Sequence, residues 1–286
     1  MQPLELYIHI PFCVKKCAYC DFLSGPAGEK EKEEYVKMLV DEIRNCPDTV
    51  QNYRVISIFF GGGTPSLLTG EQIGRLMDTV REIFTLDEDA EITMEMNPGT
   101  VTEEKLRKYR QAGVNRLSID LQSVNDEELR LLGRIHTYEE FREAYHLARA
   151  NGFSNINVDL ISAIPGQTVE SWRRTLEQVM ALSPEHISAY SLILEEGTTF
   201  YKKYVEDEAK EGPKLPDEDA ERQMYWDTET LMEKNGYHRY EISNYAKEGY
   251  ACRHNLGYWE RIPYLGFGIG AASLVPGDLI GKCRKL

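Results

Sequence analysis

Residues 4–22, LELYIHIPFCVKKCAYCDF, join an apolar run typical of a β-strand to three closely spaced cysteines. Cys13, Cys17 and Cys20 have Cys-x3-Cys-x2-Cys spacing. Three soft thiolates in one loop favour an iron–sulfur cluster or a thiophilic metal. Because a closed four-thiolate site would need one more cysteine, we expect one iron of such a cluster to remain open for another ligand.

A structural zinc site and a disulfide are the two alternatives to the cluster. Structural zinc normally takes a fourth Cys or His at comparable short spacing, but Asp21 and Phe22 come next. A disulfide between Cys17 and Cys20 would leave Cys13 unpaired, and a chain of 286 residues does not need such a crosslink. The spacing therefore favours the cluster.

The composition narrows the class of protein. A net charge of −14 argues against a nucleic-acid partner, since phosphate binding depends on clustered Lys and Arg. The start of the chain lacks the pattern of a signal peptide, and the apolar run at 265–275 is shorter than the ~20 residues of a membrane span. Grouped thiols suit a reducing compartment, so we expect a cytoplasmic protein.

A strand-then-helix pattern continues along the chain. Strands are predicted at residues 4–12, 55–60, 91–98, 116–122, 155–161 and 186–194. Capping pairs predict helix starts at Thr69 with Gln72 and at Thr137 with Glu140. Six such units predict an α/β fold with a parallel sheet and outer helices. Six units instead of eight indicate an open, partial barrel.

Polar residues fall at the carboxyl ends of these predicted strands, where the active site of a βα barrel lies. They are the cysteine loop, the run GGGTPS at 61–66, Glu95, Gln122 and Asp159. Each has an ordinary alternative, since a triple glycine is often a tight turn and either carboxylate could cap a helix. Their common placement predicts one site.

Several of these motifs resemble known families. The cysteine spacing after a strand resembles the signature of the radical S-adenosylmethionine (SAM) superfamily, in which the open iron of a [4Fe-4S] cluster binds SAM. The combined pattern is similar to the oxygen-independent coproporphyrinogen III oxidase group, over about residues 4–273. The matching stretches are YIHIPFC at 7–13, GGGTPS at 61–66, Glu95 with Asn97 and Pro98, RLS at 116–118 with Gln122, and Asp159 with PGQT at 165–168.

This resemblance implies a SAM pocket. It assigns the backbone of Gly62, Gly63 and Thr64 to SAM. It adds side chains from several strands and loops: Tyr7, Tyr19, Glu95, Gln122, Arg134, Asp159 and Ile193. Carboxylates suit the ribose hydroxyls and the amino group, and Arg134 suits the methionyl carboxylate. A place on the surface of a helix is the alternative for Arg134.

One position distinguishes two branches of this group, the oxidases proper and the heme chaperones. Oxidases proper carry a fourth cysteine two residues after the third, where this chain has Phe22, and they carry a longer N-terminal extension. Both features resemble instead the heme chaperone branch, as does CRHNLGYW at 252–259, which is similar to its His-Asn-x-x-Tyr-Trp motif. His254, or Cys252 in competition, is the expected heme ligand. The alternative is a buried structural histidine under aromatic side chains.

Two stretches depart from the family pattern. Ala272 stands where the chaperone pattern usually places His. We still expect Ala272 to lie at a cofactor-binding position. Residues 276–286 no longer resemble the family, whose members continue into a helical domain, so we expect a truncated or divergent end. The expected domains are a radical SAM partial barrel at 1–205 and a C-terminal extension at 206–286.

The resemblance implies two functions. In an oxidase, SAM cleaved with one electron from the cluster would yield a radical that takes hydrogen from the propionates of coproporphyrinogen III. In the chaperone branch, the cluster and SAM support transfer of heme to acceptor proteins. We expect the chaperone, with a [4Fe-4S] cluster, SAM and heme as cofactors. Expected partners are an electron donor, such as flavodoxin or ferredoxin, and a heme-acceptor protein. We expect membrane association only through that acceptor. A zinc-stabilised scaffold without catalysis is the third hypothesis.

Overall fold

The computed structural model of the protein describes residues 1–207 and 211–275. The prediction of a truncated or divergent end at residues 276–286 lies outside the described residues.

The strands of the sheet are β1 Gln2–Ile10, β2 Tyr53–Gly62, β3 Thr85–Met96, β4 Arg116–Gln122, β5 Ile156–Ser162, β6 His186–Ser191, β7 His238–Arg239, β8 Asn244–Ala246 and β9 Tyr264–Phe267. The helices are α1 Glu29–Arg44, α2 Gly70–Ile83, α3 Glu103–Ala112, α4 Asp126–Leu132, α5 Tyr138–Ala150, α6 Val169–Ala181, α7 Thr199–Tyr201, α8 Glu218–Lys234 and α9 Arg253–Glu260. Short 3₁₀ turns occupy Asp48–Asn52 and Pro65–Leu67, and a π-helical turn at Lys202–Glu206 continues α7.

The sheet confirms the predicted α/β class. Its order is β7-β8-β6-β5-β4-β3-β2-β1-β9, and β1 to β6 are parallel neighbours. Among the described residues the two edge strands, β7 and β9, do not pair with each other, so the sheet is an open partial barrel. All carboxyl ends of β1 to β6 therefore lie at one rim.

Capping positions the outer helices as predicted. The Thr69 hydroxyl accepts a hydrogen bond from Gln72 N, while the Gln72 side chain accepts one from Thr69 N. Thr137 and Glu140 form the same reciprocal pair at the start of α5. Apolar faces of these helices pack on the outer face of the sheet in one continuous core. Each pair satisfies two backbone donors that the first turn of a helix leaves open.

Three short strands were not predicted. β9 pairs in parallel with β1, with Glu5 opposite Tyr264, and β8 pairs antiparallel to β6. β7 adds to β8. These strands come from the part of the chain predicted as an extension, 206–286, yet they complete the same sheet as the barrel. The domain boundary near residue 206 remains a prediction.

The foot of the barrel, at the amino ends of the strands, is closed by α9. Gly257 on α9 packs so closely on Glu5 of β1 that an added Cβ would lie 2.2 Å from Glu5 Oε1. The backbone amides of Arg253 and His254 donate to the Glu91 carboxylate. Glu91 therefore caps the start of α9 from β3, where an anion complements the helix dipole. The open end of the barrel is left for a ligand.

Candidate functional site

A cleft of about 400 Å³ lies at the carboxyl ends of β1 to β6. Its size falls in the range of small-molecule sites, and its place is the one expected for an α/β barrel. It brings together most of the residues predicted for the site: Cys13, Cys17, Tyr19, Cys20, Gly62, Gly63, Thr64, Glu95, Gln122, Arg134, Asp159 and Ile193.

The cysteine loop is anchored to the barrel along its length. Cys13 N donates to Gly25 O at 2.9 Å, and Ala18 N donates to Leu132 O at 2.9 Å. Ala18 O in turn accepts from Phe200 N at 2.9 Å. Cys13, Cys17 and Cys20 are half-buried and form no disulfide. The fold therefore holds three thiols at one edge of the cleft.

The three thiols do not converge on a preformed single-ion site among the described residues. Within residues 1–207 and 211–275, no three His, Cys, Asp or Glu side chains are arranged to hold a single metal ion. Zinc requires its ligands within about 2.0–2.3 Å of one point. An iron–sulfur cluster instead takes each thiolate on a separate iron, which does not require the sulfurs to converge.

The glycine run is more than a tight turn. Gly62 has φ +108°, and an added Cβ would lie 2.4 Å from His9 Nδ1. A Cβ on Gly63 would lie 2.7 Å from the carbonyl oxygen of Phe12, directly before the first cysteine. Thr64 N donates to the same oxygen at 2.6 Å. Only glycine allows the second strand's end to pack this closely on the cysteine loop.

Three of the carboxyl groups that line the cleft have raised pKa values. Burial raises the pKa of Glu95 well above its usual range, and the charges of Asp120 and Asp159 raise it further. Burial raises the pKa of Asp120 to about 6, although Arg134 opposes the shift. Burial likewise raises the pKa of Asp159, against hydrogen bonds from Ser118 at 2.7 Å and Asn157 at 3.0 Å. A cationic ligand would lower these pKa values, so the cleft suits the sulfonium and ammonium groups of SAM.

Arg134 lies inside the cleft and not on a helix surface. Its side chain is only 5% exposed. Nη2 donates to the backbone oxygen of Asp120 at 3.0 Å and to the side-chain oxygen of Asn97. Nη1 lies 3.7 Å from Cys17 Sγ, within hydrogen-bond reach of sulfur. The guanidinium thus brings a positive charge beside the thiols.

Gln122 ends β4 in a strained conformation. A register shift between Asp120 and Gln122 marks a bulge, and Gln122 has φ +76°. A left-handed non-glycine residue costs on the order of 1 kcal/mol and clusters at functional sites. At the mouth of the cleft, Ile193 is 68% exposed, whereas Tyr19 is half-buried.

Tyr7 and Ala272 do not line the cleft. Tyr7 lies deeper in the barrel, where its hydroxyl bonds to His9 Nδ1 at 3.1 Å and its ring stacks on Phe59. Ala272 is exposed on the loop after β9. Their predicted cofactor contacts remain predictions.

His254 lies at the foot of the barrel, away from the cleft. It is 1% exposed and stacks on Phe59. The Ser57 hydroxyl donates its one proton to Glu5, so His254 Nδ1, 2.8 Å from Ser57 Oγ, must donate to that oxygen. Nε2 then accepts from Tyr258 at 3.0 Å. Both ring nitrogens are used within the fold, which is the arrangement of a buried structural histidine.

Cys252 is equally enclosed. It is fully buried, and its thiol donates to Glu91 at 3.3 Å. Burial raises the pKa of this thiol to about 12. Ligation of heme iron by His254 or Cys252 would require α9 to leave the barrel, and it remains a prediction.

Asp120 and Asn97 are among the cleft residues that the sequence did not predict. Asp120 lies two residues before Gln122, and Asn97 lies two residues after Glu95. Because alternate residues of a strand share one face, the period of two pointed from Glu95 to Asn97, whereas the bulge between Asp120 and Gln122 breaks that period in β4.

Comparison with known proteins agrees with this geometry. The family described as the Radical SAM superfamily matches residues 7–179. A protein named heme chaperone HemW from Escherichia coli strain K12 is 44% identical over 272 residues, which cover 95% of this chain and 70% of that protein. A heme chaperone HemW from Bacillus subtilis strain 168 is 39% identical over 95% of this chain and 71% of that protein.

A solved structure shares the fold. Coproporphyrinogen III oxidase HemN from Escherichia coli, described as a radical SAM enzyme, superposes with a TM-score of 0.83 at 29% identity. The match covers 96% of this chain and 65% of that one, so the chain spans less than two thirds of the oxidase.

The chain therefore belongs to the radical SAM superfamily. This family implies a [4Fe-4S] cluster and SAM, for which the thiols, glycines and carboxyl groups of the cleft are suited. Within the superfamily, the chain belongs to the family of proteins named heme chaperone HemW. No helix among the described residues has the length and apolar character needed to span a membrane.

Proposed function

We propose that this protein holds a [4Fe-4S] cluster on Cys13, Cys17 and Cys20, binds SAM in the cleft, and carries heme to an acceptor protein. The observation that carries the proposal is the 44% identity to heme chaperone HemW over 95% of the chain. Phe22, in place of the fourth cysteine that resemblance assigns to oxidases, supports the same branch. We place the protein in the cytoplasm, where thiols remain reduced.

The cleft residues would divide the binding of SAM among them. The Gly62 and Gly63 backbone would lie against the ligand, because no side chain stands between it and the strand end. Glu95, whose Oε2 already accepts from Gly62 N at 3.0 Å, would hold the ammonium group or the ribose hydroxyls. When bound, the cluster supplies the electron that cleaves SAM reductively. The half-buried walls of the cleft exclude water from that region.

Heme needs an apolar surface with cationic partners for its two propionates. Four cleft residues form an exposed apolar rim: Val14, Phe22, Ile135 and Ile193, each more than half exposed. Lys15 and Lys16 lie beside this apolar rim and are exposed. We propose that one heme face rests on the apolar rim while its propionates meet these lysines. This placement needs no movement of α9.

An oxidase function is the second candidate. The TM-score of 0.83 with coproporphyrinogen III oxidase HemN favours it, since both proteins would present SAM in the same cleft. The apolar rim would accept a porphyrinogen as readily as heme. An electron donor such as flavodoxin or ferredoxin is needed by both candidates.

The test is a pair of assays on one anaerobically reconstituted preparation. We expect heme titration to give a saturable Soret shift and coproporphyrinogen III with SAM and reductant to give no protoporphyrinogen IX. Ile193→Lys together with Phe22→Ser should weaken heme binding at least tenfold, about 1.4 kcal/mol. His254→Ala tests the ligand predicted from the motif. Conversion of coproporphyrinogen III would show that the chaperone proposal is wrong.

A further inference from the structure

Asn97 lies directly after β3 at the wall of the cleft. It contacts Thr64 and Arg134, two of the residues predicted to bind SAM. Its backbone is fixed, because N donates to Ser66 Oγ at 3.2 Å and O accepts from Thr100 Oγ1 at 2.7 Å. Its side chain donates from Nδ2 to Thr64 Oγ1 at 3.0 Å and accepts at Oδ1 from Arg134 Nη2. A reversed amide would set its NH₂ group against the guanidinium, so only one orientation satisfies both partners.

Both partners of Asn97 reach a cysteine sulfur. Thr64 Oγ1 donates to Cys13 Sγ at 3.7 Å, and Arg134 Nη1 donates to Cys17 Sγ at 3.7 Å. A continuous polar chain therefore runs from Cys13 through Thr64, Asn97 and Arg134 to Cys17. Thr64 is 3% exposed and the Arg134 side chain 5%, so water competes little for these contacts.

We propose that Asn97 is a positioning residue that aims one hydrogen bond at each of two cluster ligands and thereby sets the reduction potential of the cluster. The inference rests on the proposed function, because it requires that Cys13 and Cys17 hold the cluster.

The physical reason lies in the single proton of the Thr64 hydroxyl. The amide of Asn97 occupies a lone pair of Thr64 Oγ1, which leaves the O–H bond to point at Cys13. Donors to the sulfurs favour the reduced cluster, which carries one more negative charge, and so raise its potential. Loss of the Asn97 amide would let the Thr64 hydroxyl rotate. It would also remove one of the hydrogen bonds that hold the Arg134 guanidinium in place.

The test is a redox titration of the reconstituted protein without SAM, followed by EPR, with iron per protein measured first. We expect Thr64→Val and Asn97→Ala to lower the ratio of reduced to oxidised cluster about tenfold at a fixed potential, a shift of about 59 mV for one electron. Thr64→Ser keeps the hydroxyl and should stay near the wild-type potential. Thr79→Val is the matched control, since Thr79 is a buried threonine of α2 that donates to Arg75 O and lies outside the cleft.

A double-mutant cycle separates positioning from a general structural effect. In the Asn97→Ala protein, adding Thr64→Val should have less than half of its effect on the wild type, because the hydroxyl has already lost its orientation. Proton ENDOR of the reduced cluster should also lose an exchangeable coupling in Thr64→Val and regain it in Thr64→Ser. Additive effects, or an unchanged potential in Asn97→Ala at full iron content, would overturn the inference.

If Asn97→Ala fails to assemble a cluster, Asn97→Asp provides the second variant. It keeps the acceptor for Arg134 but presents an acceptor to Thr64, which draws the hydroxyl proton away from Cys13. A lower potential is expected, and an unchanged one contradicts the inference. A wild-type protein without a three-cysteine cluster would contradict the proposed function as well, whereas a wild-type cluster with unaltered variants contradicts only the role of Asn97.

Discussion

A side chain at Gly63 would clash with the backbone around the cysteine loop. An added Cβ would lie within 2.8 Å of three backbone atoms of Ile10 and Phe12. Backbone cannot rotate away as a side chain can, so any larger residue must push the glycine run and the cysteine loop apart. SAM is proposed to lie across both segments.

We therefore expect Gly63→Ala to weaken SAM binding to the reconstituted protein at least tenfold, about 1.4 kcal/mol, by calorimetry. Gly74→Ala is the matched control: Gly74 lies within α2, and its added Cβ would meet no atom within 4 Å. That change should leave SAM binding intact and stabilise the fold by about 1 kcal/mol. Equal SAM affinity in both variants would mean that the glycine run does not line the ligand.

The residues that line the cleft could be predicted where they lie near the carboxyl ends of regular strands. Glu95, Gln122 and Asp159 were predicted because each lies near the carboxyl end of a predicted strand, and all three line the cleft. The place of His254 at the foot of the barrel could not be predicted from its motif, since a sequence of polar and aromatic residues on a helix does not say which end of the barrel that helix closes. The contact of His254 with Ser57 on β2 joins residues 197 positions apart.

Among the elements, α9 and the foot of the barrel form a buried titratable unit. Glu5 is fully buried, and its Oε2 has no hydrogen-bond partner among the described residues. Burial raises the pKa of Glu5 to about 8, with smaller contributions from the charges of Glu91 and Glu260 and an opposing hydrogen bond from Ser57. Burial lowers the pKa of the neighbouring His254 to about 3.

These opposite shifts predict how stability depends on pH. Folding favours protonated Glu5, so its stabilisation is complete below about pH 4.5 and is lost as the pH rises through 8. Folding favours neutral His254, whose stabilisation is complete above about pH 6.5 and is lost as the pH falls through 3. Of these two groups, only Glu5 changes the stability between pH 6.5 and 8.

In that window we expect Glu5 to cost the wild type about 2 kcal/mol of unfolding free energy as the pH rises. Glu5→Gln should remove this loss, while Glu103→Gln at the exposed start of α3 should not. Urea unfolding at both ends of the window measures the difference. Parallel slopes for the wild type and Glu5→Gln would mean that Glu5 is ionised in the folded protein.

At the scale of the whole molecule, the sequence predicted the six parallel strands, their helices and the open barrel. Long apolar runs with regular caps carry that signal. β7, β8 and β9 carried too little signal, because strands of two to four residues show no usable period and their partners are distant in sequence. The cleft was predictable because it follows from the sheet order, whereas the apolar rim depends on how loops are arranged around it.

The central claim is that three cysteines of one loop hold a cluster with an open iron that binds SAM. The most direct measurement is ENDOR of the reduced cluster with SAM carrying ¹⁵N in its amino group. We predict a changed EPR spectrum on addition of SAM and a hyperfine coupling from that nitrogen. An unchanged spectrum without nitrogen coupling, in protein with full iron content, would contradict the account.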